Sequence, residues 1–292
     1  MAAIELEPGL RRITAPNPSP MTFHGTNTYL LGTREIAVID PGPADGAHLD
    51  AILAALEPDQ HITHILVTHS HLDHSPLAAP LSVATGAPVL AAGPSDWGRT
   101  PVMQALAATG ELGGGEGVDT QFTPSQILRH GDLVQATDWQ LSVLHTPGHM
   151  ANHLSFAWNG TLFSGDLVMG WSTSLVSPPD GDMTSFMASL RQLRQRSDRI
   201  YYPGHGAPVG DPATRLDQLV THRLGREVEV LSALSTGPAT PNALTRAIYT
   251  EIPAALHPMA ERNVLAHLID LTEQSKVTPL GPLRATAQFA LS

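Results

Sequence analysis

The chain has 292 residues and a formal net charge of −11 at pH 7, a length that suits one large domain with a small second one. It holds no cysteine, which excludes disulfides, iron–sulfur clusters, thiol catalysis and thiolate zinc sites. Lys276 is the only lysine, and so acidic a chain is a poor match for a protein that holds nucleic acid by bulk charge.

The N-terminal residues do not combine a basic segment with a long apolar core, so they predict no secretory signal. No apolar run approaches the length of a membrane span, which predicts that the protein has no membrane partner. We therefore expect a cytoplasmic protein.

Strands alternate with helices in the first part of the chain. Apolar residues at helical spacing predict helices at 48–56 and 76–84, and Ser75 before Pro76 is typical of an N-cap. This alternation favours an α/β domain built in layers. Short apolar runs between Pro, Gly and Asn predict strands at 10–15, 26–31, 35–40, 62–68 and 87–90.

The middle of the chain begins with a predicted helix at 101–108 and a glycine-rich loop at 111–117. An Asn159-Gly160 pair indicates a hairpin further on. An amphipathic helix is predicted at 183–196, followed by a strand at 199–202. The remaining predicted strands lie at 132–135, 140–145, 153–158 and 161–164.

From about residue 211 the pattern changes to helices, which are predicted at 215–234, 242–249 and 259–274, with short strands at 277–280 and 287–291. Three helices and a terminal β pair suggest a winged-helix-like domain. We therefore divide the chain into a catalytic domain at 1–210 and a C-terminal domain at 211–292.

The C-terminal domain is close to neutral, with 7 basic and 8 acidic side chains, whereas residues 1–210 hold 9 and 19. A winged helix can read DNA through the major groove, but a near-neutral one gives little reason to expect it. We predict no sequence-specific DNA binding; the domain would instead wall the active site or build a homodimer.

The strongest chemical signal is the segment HSHLDH at 69–74, where a predicted strand meets a predicted helix. His69 and His71 are two residues apart, so in extended backbone they project to the same side. Asp73 and His74 follow in the turn and can reach a second point nearby. Imidazole and carboxylate are ligands well suited to zinc, so this segment predicts a metal site.

Three later segments each place a metal-ligand type of side chain just after a strand. Taken singly, a glycine-flanked His or Asp at such a position is more often a turn residue. Together, on loops held by a rigid sheet, they predict one converging site. These residues are His149 in HTPGH, Asp166 in SGD and His205 in PGHG.

The HSHLDH, HTPGH, SGD and PGHG segments, in this order, resemble the metallo-beta-lactamase superfamily. The resemblance implies a four-layer αβ/βα sandwich of the α/β class, with a site for two metal ions at its edge. It implies two zinc ions, although manganese or iron suit the same ligands.

The resemblance also assigns the ligands to the two metals. His69, His71 and His149 would bind the first, while Asp73, His74 and His205 would bind the second and Asp166 would bridge them. Asp73 and Asp166 are the expected catalytic carboxylates, acting with a metal-bridging hydroxide as the nucleophile.

Asp40 matches a position that usually supports a ligand histidine in this superfamily, although an Asp before Pro-Gly can equally be a turn former. His24, His145 and His153 are candidates for the same supporting role, but an ordinary structural role is favoured for each. The insert WSTSLVSPPDGDM at 171–183 is expected to border the substrate, as are Ser70 and Leu72.

The bridging position narrows the choice of activity. Antibiotic-degrading zinc members typically have Cys or Ser where this chain has Asp166, so the chain resembles the glyoxalase II, ribonuclease and phosphodiesterase side, and beta-lactamase is not expected as its main activity. Five segments resemble the beta-lactamase-like protein 2 family: HGTNTYLLG, TPGHMANH, YYPGHG, THRLGREVEVL and MAERNVLAHLIDL. This resemblance covers nearly the whole chain, from about 25 to about 279.

Members of that family include an endoribonuclease that acts on single-stranded RNA, and related fungal members are acyl-carrier thioesterases. The resemblance therefore favours hydrolysis of phosphodiester bonds in single-stranded RNA. A thioesterase or lactonase acting on a small acyl metabolite is the alternative, and the acidic surface does not oppose it. A binding protein with an inactive site is a third hypothesis, which the full ligand set argues against.

Overall fold

Two β-sheets face each other in the centre of the structure, a computed structural model that describes residues 2–112 and 117–292. The first sheet has strands β1 to β7 in sequence order, antiparallel up to β4 and parallel from β4 onwards. Its strands are β1 Ile4–Glu7, β2 Leu10–Thr14, β3 Asn27–Leu31, β4 Glu35–Ile39, β5 His61–Leu66, β6 Val89–Ala91 and β7 Gln126–Ile127.

The second sheet has the order β12-β11-β10-β9-β8, and only its β11–β12 pair is parallel. Because β9, β11 and β12 run in the same direction, their carboxyl ends lie at one end of the sheet. The strands are β8 Leu133–Gln135, β9 Gln140–His145, β10 Leu154–Trp158, β11 Thr161–Gly165 and β12 Ile200–Pro203.

Alternation of side chains along the strands separates two cores. In β3 and β4, Leu31 and Ile39 face the second sheet, where they join Phe156 in the central core. Their neighbours Leu30 and Val38 face the opposite way, towards the helices. A period of two residues is what places successive side chains on opposite faces of a sheet.

Helices cover the outer face of each sheet, which gives four layers. The helices α1 Gly46–Ala54 and α2 Ala78–Thr85 pack on the first sheet, and α4 Met183–Arg194 and α5 Pro212–Leu234 pack on the second. The predicted α/β sandwich is therefore confirmed. A further helix, α3 Pro101–Ala108, packs instead against the C-terminal helices.

The C-terminal part is a winged-helix domain, as predicted. Its helices share an apolar core with Phe289 of the hairpin, and the amino-terminal half of α5 packs on the second sheet through Leu216 and Leu219. The boundary at residue 210 stays a prediction. After α5 come α6 Pro241–Ile248, a 3₁₀ turn Ala254–Leu256, α7 His257–Glu273 and the hairpin of β13 Val277–Pro279 and β14 Phe289–Leu291.

One predicted helix start is wrong. Ser75 does not cap α2, which begins three residues later at Ala78 without a side-chain cap. The Ser75 hydroxyl donates instead to Asp119 Oδ2 at 2.8 Å and to the carbonyl of His71 at 3.1 Å, so it fastens the histidine-rich turn. The strands β1 and β7 were not predicted.

The predicted glycine-rich loop at 111–117 has its residues 113–116 outside the described residues. Across residues 2–112 and 117–292, no helix combines the length and the apolar content that crossing a lipid bilayer requires.

Candidate metal centre

The candidate ligands stand where strands end. The turn that carries His69 to His74 follows β5 directly, while the other ligands come just after β9, β11 and β12. The backbone N–H of Leu154 donates to the carbonyl of Thr68 at 2.7 Å, which ties the end of β5 to the second sheet. Both sheets therefore deliver polar side chains to one edge of the sandwich.

A first ligand group consists of His69, His71 and His149, whose ring nitrogens lie within 4.8 Å of one another. His71 Nδ1 is 3.0 Å from His69 Nε2 and 3.0 Å from His149 Nε2. A neutral ring carries one N–H, so these three nitrogens cannot all satisfy each other by hydrogen bonding. Three lone pairs that converge in this way suit a cation.

A second group consists of Asp73, His74 and His205, again with ligand atoms within 4.8 Å. Asp73 Oδ2 lies 3.0 Å from His205 Nε2 and 3.5 Å from His74 Nε2. The two imidazole nitrogens are 3.4 Å apart. This group mixes nitrogen and oxygen ligands, whereas the first has nitrogen alone.

Asp166 lies between the two groups. Its Oδ2 is 3.2 Å from His205 Nε2 and 3.8 Å from His149 Nε2, so a single oxygen faces both. Its Oδ1 is 3.6 Å from His74 Nε2, and it is buried with no hydrogen-bond partner among the described residues. An unsatisfied buried carboxylate oxygen is costly, which is further support for a cation at this point.

Hydrogen bonds from the far side of each ring orient four of the five histidines. The Nδ1–H of His149 donates to the carbonyl of Leu175 at 2.7 Å, and that of His205 to the carbonyl of Gly25 at 3.1 Å. That of His74 donates to Asp40 Oδ2 at 3.0 Å. Because Nδ1 is engaged in this way, Nε2 is the nitrogen of each ring that faces the centre of the cluster and would bind a cation.

His69 is held through Thr68. The Thr68 hydroxyl donates to Asp40 Oδ2 at 2.8 Å, so its lone pairs accept from His69 Nδ1 at 2.9 Å. The buried Asp40 also accepts the backbone N–H of Thr68 at 2.7 Å on Oδ1. One carboxylate thus orients a histidine in each group. Donor types, convergence and orientation together fit two divalent cations.

The first group is neutral in the protein without metal. Burial lowers the pKa of His71 to about 3, and burial also lowers that of His149. Burial, with the adjacent His74 and His71, holds the pKa of His69 well below its usual range. Neutral imidazole is the form that binds a metal ion.

The second group is ion-paired instead. Burial opposes the charge on His205, but the Asp166 carboxylate and its hydrogen bond outweigh burial and raise the pKa of His205 to about 10. Burial likewise lowers the pKa of His74, yet Asp73 and Asp166 raise it well above its usual range. The two groups therefore differ in charge as well as in ligand type.

Sequence reasoning gave too little weight to His153. This buried side chain accepts the backbone N–H of Asp166 on Nε2 at 3.2 Å and contacts Thr146 Oγ1 through Nδ1 at 3.0 Å. Its ring is tilted by 31° to that of His69, with centroids 5.2 Å apart. It fixes the backbone that presents the carboxylate. Its position four residues after His149, in TPGHMANH, was the available signal.

Two other histidines have the ordinary roles that were favoured. His145 Nε2 bonds the carbonyl of Ala151 at 2.9 Å, away from the ligands, and His24 is exposed beside Phe23. Packing explains why the first glycine of Pro-Gly-His-Gly has no side chain: a Cβ on Gly204 would lie 2.4 Å from Asp166 Oδ1. Only glycine lets the chain pass so close to that carboxylate.

An aromatic pair borders the second group. Phe23 and Trp171 stack with ring centroids 5.0 Å apart and planes at 16°. Trp171 packs against Gly206, the residue after His205. The contact is so close that a Cβ on Gly206 would lie 2.6 Å from Trp171 Cδ1. Phe23 has a positive φ of 56° and stays 41% exposed, so the backbone holds an apolar ring open to solvent beside the cluster.

The fold and the cluster define a hydrolase that works with bound metal. The model of the metallo-beta-lactamase superfamily matches residues 21–205, and that of the beta-lactamase associated winged helix domain matches residues 240–281. The Beta-lactamase-like protein 2 homolog of Drosophila melanogaster is 30% identical over 285 residues, which are 94% of this chain and 92% of that protein.

The Atrochrysone carboxyl ACP thioesterase of Aspergillus fumigatus is 29% identical over 269 residues, 85% of this chain and 76% of the relative. Among solved structures, a metallo-beta-lactamase family protein from Thermus thermophilus has a TM-score of 0.78 at 26% identity. The match covers 99% of this chain and 100% of that protein's chain. The chain belongs to the metallo-beta-lactamase superfamily, and it is a metal-dependent hydrolase with a C-terminal winged-helix domain. The resemblance stated from the sequence is confirmed.

Proposed function

We propose that the chain is a dinuclear thioester hydrolase, with the two ligand groups described above each holding one zinc ion and Asp166 bridging them. The observation that carries the metal part is the convergence of seven ligand side chains, two of them carboxylates, on two adjacent points. Bound in this way, the ions would lower the pKa of a shared water and polarise the bond to be cleaved.

The two carboxylates have different tasks. The Asp73 side chain is 25% exposed and Asp166 only 9%, so Asp73 is the one that reaches the opening of the site. Asp73 is therefore placed to accept a proton from the attacking water, aided by the Thr26 hydroxyl at 3.5 Å from its Oδ2. Asp166, fixed through His153, is placed to bridge.

The loop at 166–182 favours an acyl substrate over a phosphate backbone. Three of the four arginines that bond to this loop are Arg99, to Asp180 at 2.6 Å, Arg215, to the Met169 carbonyl at 2.7 Å, and Arg262, to the Pro178 carbonyl at 3.3 Å. The fourth, Arg223, bonds the Ser174 carbonyl. A polyanion needs cationic side chains that can turn towards it, whereas these arginines are already hydrogen-bonded to atoms of the loop. The similarity to an acyl-carrier thioesterase supports the same choice.

RNA cleavage is the second candidate. The observation in its favour is the Phe23–Trp171 stack, because exposed aromatic rings stack on bases of single-stranded nucleic acid. The match along nearly the whole chain to a beta-lactamase-like protein 2 homolog is the other support. The same rings would equally pack on an aromatic or long-chain acyl group.

Parallel assays separate the two functions. Zinc-loaded protein is incubated with acetyl and benzoyl thioesters of a pantetheine-type thiol, and separately with end-labelled single-stranded RNA. His71→Ala serves as the inactive variant, and Arg246→Met, an exposed change in α6, serves as the matched control. We expect thioester turnover that disappears in His71→Ala and persists in Arg246→Met. RNA cleavage with the same dependence and no thioester turnover would establish the second function, and inertness towards both would reject the proposal.

A homodimer and a cytoplasmic location stay predictions from the sequence. Sedimentation of the purified protein tests the first: a mass near 62 kDa is twice the 31.0 kDa of the chain. Absence of sequence-specific DNA binding also stays a prediction, and a gel-shift assay at physiological salt tests it.

A further inference from the structure

A buried arginine in α5 points at the loop behind the metal centre. Arg223 is 2% exposed, and the groups that receive its hydrogen bonds are the carbonyl of Ser174 and Asn263 Oδ1, the latter at 3.2 Å. It also lies over the Phe186 ring at 5.1 Å. No carboxylate within ion-pair distance of it is found among residues 2–112 and 117–292. A buried guanidinium without an acidic partner costs free energy, which favours a specific role for this side chain.

The loop that Arg223 contacts is hydrogen-bonded to a ligand histidine. Ser174 is bonded to Arg223, and the backbone N–H of Val176 donates to Asn263 Oδ1 at 3.1 Å. Leu175, the residue between them, presents the carbonyl that accepts the Nδ1–H of His149 at 2.7 Å. The same loop residue Ser174 donates its hydroxyl to the carbonyl of Asp166 and to that of Leu167.

We propose that Arg223 and Asn263 are positioning residues: they clamp residues 174–176 from the C-terminal helices, so that the Leu175 carbonyl holds His149 in the orientation that binds metal. The clamp joins the two C-terminal segments THRLGREVEVL and MAERNVLAHLIDL, which carry Arg223 and Asn263, to the first ligand group. The winged-helix region then sets metal affinity.

The physical reason is the tautomer of His149. With the Leu175 carbonyl in place, the ring proton is held on Nδ1 and the Nε2 lone pair stays in the centre of the cluster. Residues 171–182 form no helix or strand, so their own backbone pattern does not fix that carbonyl. Removal of the clamp lets it turn away and lets the proton occupy Nε2, where it blocks a ligand position.

The test measures metal binding rather than turnover. Zinc affinity is determined by competition with a chromogenic chelator, and the visible spectrum of the cobalt(II)-loaded protein reports the ligand geometry. We expect Arg223→Met and Asn263→Ala to weaken zinc binding by about 10- to 100-fold, the range seen when an outer partner of a ligand histidine is lost. The cobalt spectrum should change with them.

Two further variants separate positioning from general packing. Asn263→Asp keeps an oxygen that accepts from both Val176 and Arg223, so it should restore zinc affinity close to that of the original protein. Thr245→Val removes a buried hydroxyl bond to the Pro241 carbonyl in α6 and should lower thermal stability while leaving zinc affinity unchanged. If Arg223→Met does not fold, the less buried Asn263→Ala decides the question.

The inference rests on the proposed metal centre, but the two can fail separately. If the original protein binds no zinc, the proposed function fails and this inference fails with it. If the original protein binds zinc, and folded Arg223→Met or Asn263→Ala binds it equally well with an unchanged cobalt spectrum, only the clamp is rejected. The same holds if Asn263→Asp is as weak as Asn263→Ala.

Discussion

The two ligand groups of this hydrolase sit side by side but are built on different electrostatics. His69, His71 and His149 form a set of neutral imidazoles, since burial lowers the pKa of each. The group formed by Asp73, His74 and His205 brings its own carboxylate and is held together by ion pairs. Nitrogen lone pairs alone leave more of a cation's charge uncompensated than a set that includes a carboxylate.

Their supports differ as well. Asp40 reaches both groups, directly at His74 and through the Thr68 hydroxyl at His69. The Leu175 carbonyl reaches only His149, in the first group. Loss of the Asp40 carboxylate should therefore weaken both ligand groups, whereas loss of the Leu175 carbonyl contact should weaken only the first group.

Loss of the shared carboxylate should have the largest effect. Asp166→Ala removes the oxygen that faces both groups, so we expect kcat/KM to fall by about 10³-fold or more, on the scale of losing a main source of transition-state stabilisation. Bound zinc per chain, measured by elemental analysis, should fall as well. A variant that keeps two zinc ions and its activity would show that the groups are independent.

Single ligand changes should separate the groups. His71→Ala and His205→Ala each remove one ligand from one group, so each variant should retain about one zinc ion per chain with its activity reduced by at least about 100-fold, above the range for outer partners. Equilibrium dialysis followed by elemental analysis gives the stoichiometry. Retention of both ions in either variant would contradict the assignment of that residue.

Asp40→Asn should weaken both groups together. An amide has only one oxygen that can accept, so His74 and the Thr68 hydroxyl lose part of their support, and zinc affinity should fall by about 10- to 100-fold. Asp45→Asn, at the half-buried N-cap of α1, is the control and should leave affinity unchanged. If Asp40→Asn binds zinc as the original protein does, the turn-forming role is sufficient to explain Asp40.

A pH change should also act on the scaffold, outside both ligand groups. Burial lowers the pKa of His48 to about 4, so the folded protein keeps this ring neutral while the unfolded chain protonates it below its ordinary pKa. The stability it contributes is present above about pH 6.5 and is lost as the pH falls towards 4, which amounts to about 2 kcal/mol at pH 5.

Urea unfolding at pH 7 and pH 5 measures this effect. His48→Gln can keep the hydrogen bond to Thr28 Oγ1 and removes the titration, so its loss of stability between the two pH values should be smaller by that amount. An identical loss in both proteins would show that His48 does not titrate between these states.

Loss of the exposed aromatic ring should have the smallest effect. Phe23→Ala removes one partner of the stack with Trp171, so KM for a benzoyl thioester should rise about fivefold, which is about 1 kcal/mol of aromatic contact. The value for an acetyl thioester should stay the same, because that group is too small to reach the ring's contact area. Equal changes for both substrates would place Phe23 in the scaffold.

Much of the site could be predicted because its residues follow strands. His69 to His74, His149, Asp166 and His205 come directly after strands, and the parallel course of β9, β11 and β12 brings their ends together. Alternation and helical spacing are local patterns, so they predicted a layered α/β domain, while the number of four layers came from the resemblance to the superfamily. The short edge strands were not predicted, because β7 has only two residues and β1 alternates apolar and acidic residues over only four.

The supporting contacts could not be predicted for the opposite reason. The contact between Arg223 and Ser174 joins residues 49 positions apart, and nothing in α5 marks this arginine as different from an exposed one. The N-cap prediction for Ser75 was wrong because Ser-Pro before an apolar run is a general N-cap signal. In the structure, the Ser75 hydroxyl donates to Asp119, 44 residues away. Long-range polar contacts have no short-range pattern.

A crystal structure of the zinc-loaded protein, with anomalous scattering collected at the zinc edge, tests the central claim most directly. We predict two peaks, one contacted by His69, His71 and His149, the other by Asp73, His74 and His205, and both within reach of Asp166. A single peak, or peaks bound elsewhere while these side chains remain free of metal, would contradict it.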